Sequence, residues 1–280
     1  MPEAENRTYC LERVRAYDYD RYFAAVFAPP EIRRALIALY AFNLEIASVR
    51  ERVSEPVIGL IRLQWWRDAV NEIYGGTVRS HAVAKELAAA VRAHDLPRER
   101  LERMIDAREF DLDENPPEDM AALRTYADAT SGELAALAVT VCGAAEHAEE
   151  AMPAARAWAL SGLIRAVPHH AATGKVFLPA DAMRRAGLRR DDLGGPGNPD
   201  GLGALLTEMA QEARALIAAE RKRLASMPRS ARPAVSYLPL AERYLGRIVA
   251  GGGDVFGTAS DLPLLGRQFR IARAGLTGRF

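Results

Sequence analysis

Between residues 31 and 53, apolar side chains recur at Ile32, Leu36, Leu39, Ile46, Val49 and Val53, at spacings dominated by three and four. That period puts them on one stripe of an α-helix, which the pattern predicts over residues 31–52. Pro30 suits the first helical position, where its missing N–H would have had no partner. Glu31 follows in the first turn, where negative charge complements the helix dipole. A second face carries Asn43, Ala47 and Glu51, each four residues from the last, with Arg50 and Arg52 beside it. A helix this strongly patterned must be buried along one side by others like it.

The rest of the chain supplies them. Helical spacing or composition predicts helices over residues 8–28, 56–74, 82–94, 98–112, 123–141, 151–167, 180–187, 205–227, 235–249 and 264–274. Alanine, leucine, arginine and glutamate dominate, all strong helix formers, and the predicted fold class is all-α. No internal repeat or composition shift divides the 280 residues, so one domain spanning residues 1–280 is expected. Hydrophobic residues make up 49%, ample for its core.

Charge narrows the function. The chain has 37 basic and 37 acidic residues, which argues against a nucleic-acid binder working through bulk charge. Cys10 and Cys142 have no metal-type spacing and read as free thiols in a reducing compartment. The first twenty residues contain no apolar core of a secretory signal and are too acidic for a typical transit peptide. The longest apolar run, residues 134–145, is too short to span a bilayer. A cytoplasmic location is expected, with room for peripheral contact at the inner face of a membrane.

Several local patterns have modest readings. Trp65 and Trp66 diverge by about 100° on a helix, so one belongs in the core and the other at a rim. The run DLDENPPED (111–119) carries five carboxylates but no period, and reads as a solvated loop. RRDDLGGPGNPDGLG (189–203) is the most obvious flexible loop. No strand precedes its glycines, so it is not a dinucleotide-binding turn. Small residues from Thr130 to Ala136 fit close helix packing. No arrangement suggests nucleophilic catalysis. The adjacent pair His169 and His170 diverges on a helix. It would make a facial metal site only with Glu51, if their helices meet.

Four segments, in order, carry a family resemblance: RRALIALYAFNLEIASVRE (33–51), LQWWRDAVNEIYGG (63–76), YADATSGELAALAVTVCG (126–143) and LSGLIRAVPHHAATGKVFLPAD (160–181). Together with a Tyr/Phe-rich N-terminal helix, they resemble the squalene and phytoene synthase family over most of residues 8–190. The resemblance implies an all-α bundle around a central cavity. Active members join two prenyl diphosphates head to head, using magnesium held by two aspartate-rich motifs on facing helices. Magnesium wants octahedral oxygen ligands, and the departing diphosphate needs its charge neutralised as the allylic bond breaks.

The motif positions here are Ala47, Ser48 and Glu51, then Ala166, His169 and His170. Only Glu51 keeps a carboxylate, so the resemblance implies no metal and no cofactor. One branch of the family is similar in this loss, the mitochondrial complex I assembly factors related to phytoene synthase. Ala-Phe-Asn-Leu-Glu-Ile-Ala, Ser-Glu-Pro-Val-Ile-Gly-Leu and Arg-Ala-Val-Pro-His-His carry that likeness. It implies a protein partner in assembly of the respiratory NADH dehydrogenase. A retained cavity could hold an isoprenoid or lipid, with Tyr40, Asn43, Glu51, Arg50, Arg165 and Lys175 as candidate ligand-binding residues. The alternatives are an active prenyl transferase with magnesium held by relocated ligands (Glu45, Glu51, Asp68, Glu133), and a metal-dependent hydrolase built on His169, His170 and Glu51.

Overall fold

In a computed structural model the described residues, 3–194, 199–257 and 262–280, form α-helices joined by turns, with no strand among them. The order is α1 (Glu3–Tyr17), α2 (Tyr19–Ala25), α3 (Pro30–Ala47), α4 (Pro56–Tyr74), α5 (Ala82–His94), α6 (Arg98–Ala107), α7 (Glu109–Leu112) and α8 (Met120–Ala127). Then come α9 (Glu133–Val141), α10 (Ala148–Arg165), α11 (Val167–Ala172), α12 (Ala180–Arg185), α13 (Leu202–Ser226), α14 (Arg232–Val235), α15 (Leu240–Ala250) and α16 (Leu264–Thr277).

Helix α3 is the axis. Every residue from Ala35 to Asn43 is buried, more than the single stripe its spacing predicts. A helix apolar all round needs neighbours all round, and α1, α2, α5 and α9 surround it. A second layer follows from α10, which packs on α9 and α13, with α13 against α15. The apolar core is continuous from Cys10 to Ile271.

The structure corrects several boundaries. The helix expected over 31–52 stops at Ala47. The hydroxyl of Ser48 donates to the Leu44 carbonyl at 2.7 Å, competing for the helical ladder. Residues Arg50–Arg52 form a separate 3-10 turn. The segment 8–28 breaks at Asp18, whose carboxylate takes a 2.7 Å hydrogen bond from Arg21, and Leu11 faces outward at 38% exposure. The helix expected from 235 begins at Leu240, after the short α14. In the loop expected over 189–203, Arg190–Gly194 make a 3-10 turn, and residues 195–198 lie outside the described residues.

Between α8 and α9 the chain widens into a π-helical turn, Asp128–Gly132. Arg156 holds it, donating to both Asp128 oxygens at 2.7 Å. Gly253 marks the tightest approach between segments. Its φ is +83°, and a Cβ there would lie 2.0 Å from the Gly203 carbonyl oxygen. Of the tryptophans, Trp66 is 4% exposed and stacks edge-on against Phe42, while Trp65 is half-buried at the rim.

Candidate functional site

The two motif segments meet. Glu51, in the turn after α3, lies 3.2 Å (Oε1) from Nε2 of His169 on α11, although 118 positions separate them. Both side chains are about 60% exposed, so the contact sits at the mouth of the interface. Pro168 opens α11 and sets its direction against the end of α10. His170 turns inward, its ring centroid 4.7 Å from that of Phe177. Burial, with His169 and Lys175 nearby, holds its imidazole down at about 4, so it is neutral at ordinary pH.

Under the mouth runs a polar network that the sequence reading did not find. Asn43, one turn before Ala47, is buried, and its Oδ1 accepts from Arg108 Nη2 at 3.4 Å. Arg108 Nη1 donates to the Tyr126 hydroxyl at 2.7 Å. That hydroxyl donates to Asp111 Oδ1 at 2.6 Å. Asp111, expected in a solvated loop, is only 7% exposed. Burial pushes its carboxyl upward, against the opposing pull of Arg108 and Tyr126. The signal was local: Arg108 and Asp111 are three residues apart, on one face of a short helix.

Lys175 is part of the same frame and not of an open mouth. It is 4% exposed, and its ammonium donates to the backbone carbonyls of Phe110 at 2.7 Å, Asp113 at 2.6 Å and Asn115 at 3.3 Å. Burial brings it down to about 8. Of the other expected ligand-binding residues, Tyr40 is fully buried and its hydroxyl has no hydrogen-bond partner. Arg50 is half-buried in the 50–52 turn and reaches the Val53 carbonyl at 3.4 Å. The Arg165 guanidinium lies 3.8 Å over the ring of Tyr244, at the end of α10.

The donor set does not fit a magnesium cluster. Ala47 and Ala166 offer no ligand, Ser48 gives its hydroxyl to the backbone, and Glu51 is the one motif carboxylate. No group of three or more His, Cys, Asp or Glu side chains able to hold a metal forms among the described residues. The relocated ligands do not converge either. Glu45 is held by Arg52 at 3.0 Å, Asp68 accepts from Gln64 at 2.8 Å, and Glu133 takes 2.6 Å bonds from both Arg100 and Arg103. Of the two histidines, His169 touches Glu51, while His170 turns inward onto Phe177. The surface clefts of about 520 Å3 beside α1 and α3 and about 190 Å3 beside Trp65 are lined by other residues than Tyr40, Ala47 and Ala166.

The fold is that of the squalene and dehydrosqualene synthases. A dehydrosqualene synthase solved with a ligand aligns over 97% of this chain and 95% of its own, with a TM-score of 0.83 at 16% identity. A squalene synthase from Alicyclobacillus acidocaldarius aligns over 89% and 95%, with a TM-score of 0.77 at 18% identity. The sequence profile of the squalene/phytoene synthase family matches residues 14–271, and the chain belongs to that family.

Within it, the nearer resemblances are to assembly factors. The mouse protein named NADH dehydrogenase (ubiquinone) complex I, assembly factor 6, is 34% identical over 250 residues, 89% of this chain and 75% of its own. The human protein of the same name is 32% identical over the same coverage. A presqualene diphosphate synthase from Sinorhizobium fredii is 25% identical over 193 residues, 68% of each chain.

Proposed function

We propose that this chain is a non-catalytic, single-domain member of the squalene/phytoene synthase family that serves as an assembly factor for the respiratory NADH dehydrogenase. The observation that carries the reading is the contact between Glu51 and His169. The two motif segments still face each other, yet alanine and histidine stand where a diphosphate-handling site needs carboxylates. The likeness to complex I assembly factor 6 supports the assembly role. The scaffold would act by binding, through an internal site for an isoprenoid or lipid, a protein surface, or both. Its place would be cytoplasmic, with peripheral contact at the inner face of the membrane; no helix among the described residues is long and apolar enough to cross one.

Deletion of the gene in its source organism tests this. The expected result is a loss of assembled, active NADH dehydrogenase from the membrane, restored by the full chain. Unchanged enzyme levels in the deletion strain would refute the assembly role.

The second reading is an active prenyl transferase, favoured by the 25% identity to presqualene diphosphate synthase. It requires Glu51 to hold magnesium through ligands other than those of the family. Turnover of a prenyl diphosphate that disappears in Glu51→Ala would support it.

A further inference from the structure

The inner face of α16 is anchored and its outer face is bare. Ile271 and Ala274 are buried, Arg267 Nη1 reaches Asp20 at 3.1 Å, and Gln268 Nε2 donates to the Tyr19 hydroxyl at 2.6 Å. On the opposite side, Leu265, Phe269 and Leu276 are 79%, 69% and 57% exposed. Spacings of four and seven put the three on one line, about 17 Å long at 1.5 Å per residue. Beside that line, α13, α15 and α16 frame a cleft of about 820 Å3 lined by Arg214, Arg243, Arg270, Arg273 and Arg279. None of these five forms an ion pair with a carboxylate among the described residues, and the nearby Glu242 is already held by Arg221. Crowding by Arg243, Arg273 and Arg247, after burial, holds the Arg270 guanidinium below its usual range.

We propose that the Leu265–Phe269–Leu276 ridge and the adjoining arginine cleft form a docking surface for an anionic lipid membrane. The three apolar side chains enter the acyl boundary, and the arginines meet phosphate headgroups at the level of the helix flank. A second copy of the chain fits poorly, because a two-fold contact along the ridge brings the two arginine banks together. A free phosphate would use the arginines but leave the ridge uncovered. The ridge is one helix wide and its three side chains are more than half exposed, which suits a fluid interface. The surface deepens the peripheral membrane contact proposed above and does not depend on the assembly role.

The test is co-sedimentation of the full chain with phosphatidylcholine vesicles, with and without about 30% phosphatidylglycerol, at low and high salt. The expected result is binding to the anionic vesicles on the order of tenfold tighter than to neutral ones, weakened by salt. The variants Leu265→Ser/Phe269→Ser and Arg270→Gln/Arg273→Gln should each lose about tenfold, with thermal melting little changed. Salt reads the charge contribution without any substitution. Failure to bind either vesicle overturns both this surface and the membrane contact. Equal binding to both vesicles overturns the role of the arginines. Wild-type binding to anionic vesicles that neither double variant weakens leaves the membrane contact standing and places it elsewhere. Loss of either variant's binding to a soluble protein partner, with vesicle binding intact, assigns the ridge to that partner and overturns the proposal.

Discussion

Nε2 of His169 lies 3.2 Å from Oε1 of Glu51, an exposed side-chain link between the two motif segments. In a metal-dependent synthase, several carboxylates would face one another across this gap and would repel without their cations. Here an imidazole meets a single carboxylate.

Because the pair is exposed, it should contribute little to stability. Glu51→Ala and His169→Ala are each expected to change the unfolding free energy by no more than about 1 kcal/mol. Urea denaturation of the two variants checks this. A loss of several kcal/mol from either would mean that the contact, and not the network beneath it, holds the segments together.

The network beneath is different. Asp111 is buried, Arg108 is partly buried beside it, and the two share Tyr126. Arg108→Leu leaves the Asp111 carboxylate without its cation and should cost about 3–5 kcal/mol. Removing both charges, in Arg108→Leu/Asp111→Leu, should cost clearly less than the sum of the single changes. Denaturant unfolding of the four proteins in the cycle measures the coupling. Strict additivity would show that the two side chains do not act as a pair.

His170 gives the fold a pH dependence of known sign. Its folded value is lowered from 6.5 to about 4, chiefly by burial. Between those values the unfolded chain binds a proton that the folded one refuses, so stability rises with pH. The contribution is complete above about 6.5 and is lost as pH falls through about 4. It amounts to on the order of 2 kcal/mol after allowing for partial exposure. His170→Phe should flatten the stability curve between pH 4 and 6.5 relative to the parent protein. Parallel curves for the two proteins would mean that the imidazole is not desolvated as described.

Much of this architecture was legible from residue order. The spacing of Leu36, Leu39 and Ile46, with Pro30 at the start, gave α3 its place, and Gly75-Gly76 ended α4 where expected. The end of α3 was not legible. Val49 stays buried through the 3-10 turn, so the apolar period runs on past the point where Ser48 breaks the ladder. Asp111 looks solvated in the sequence because its neighbours are prolines and carboxylates, while its partner Tyr126 lies 15 positions away. Lys175 reads as a ligand-binding residue for the same kind of reason. Its hydrogen-bond acceptors are backbone carbonyls some 60 positions away, and carbonyls leave no mark in a side-chain pattern. The missing motif carboxylates, by contrast, needed only the sequence. The structure adds that no group of three or more His, Cys, Asp or Glu side chains able to hold a metal forms among the described residues.

The most direct measurement is incubation of the purified protein with farnesyl or geranylgeranyl diphosphate and magnesium, followed by extraction and analysis of the products. With one carboxylate at the motif positions and no metal-binding group among the described residues, no condensed C30 or C40 product and no released pyrophosphate are expected above the protein-free control. Sustained formation of either product, dependent on both protein and magnesium, would contradict the account and make the chain a working synthase.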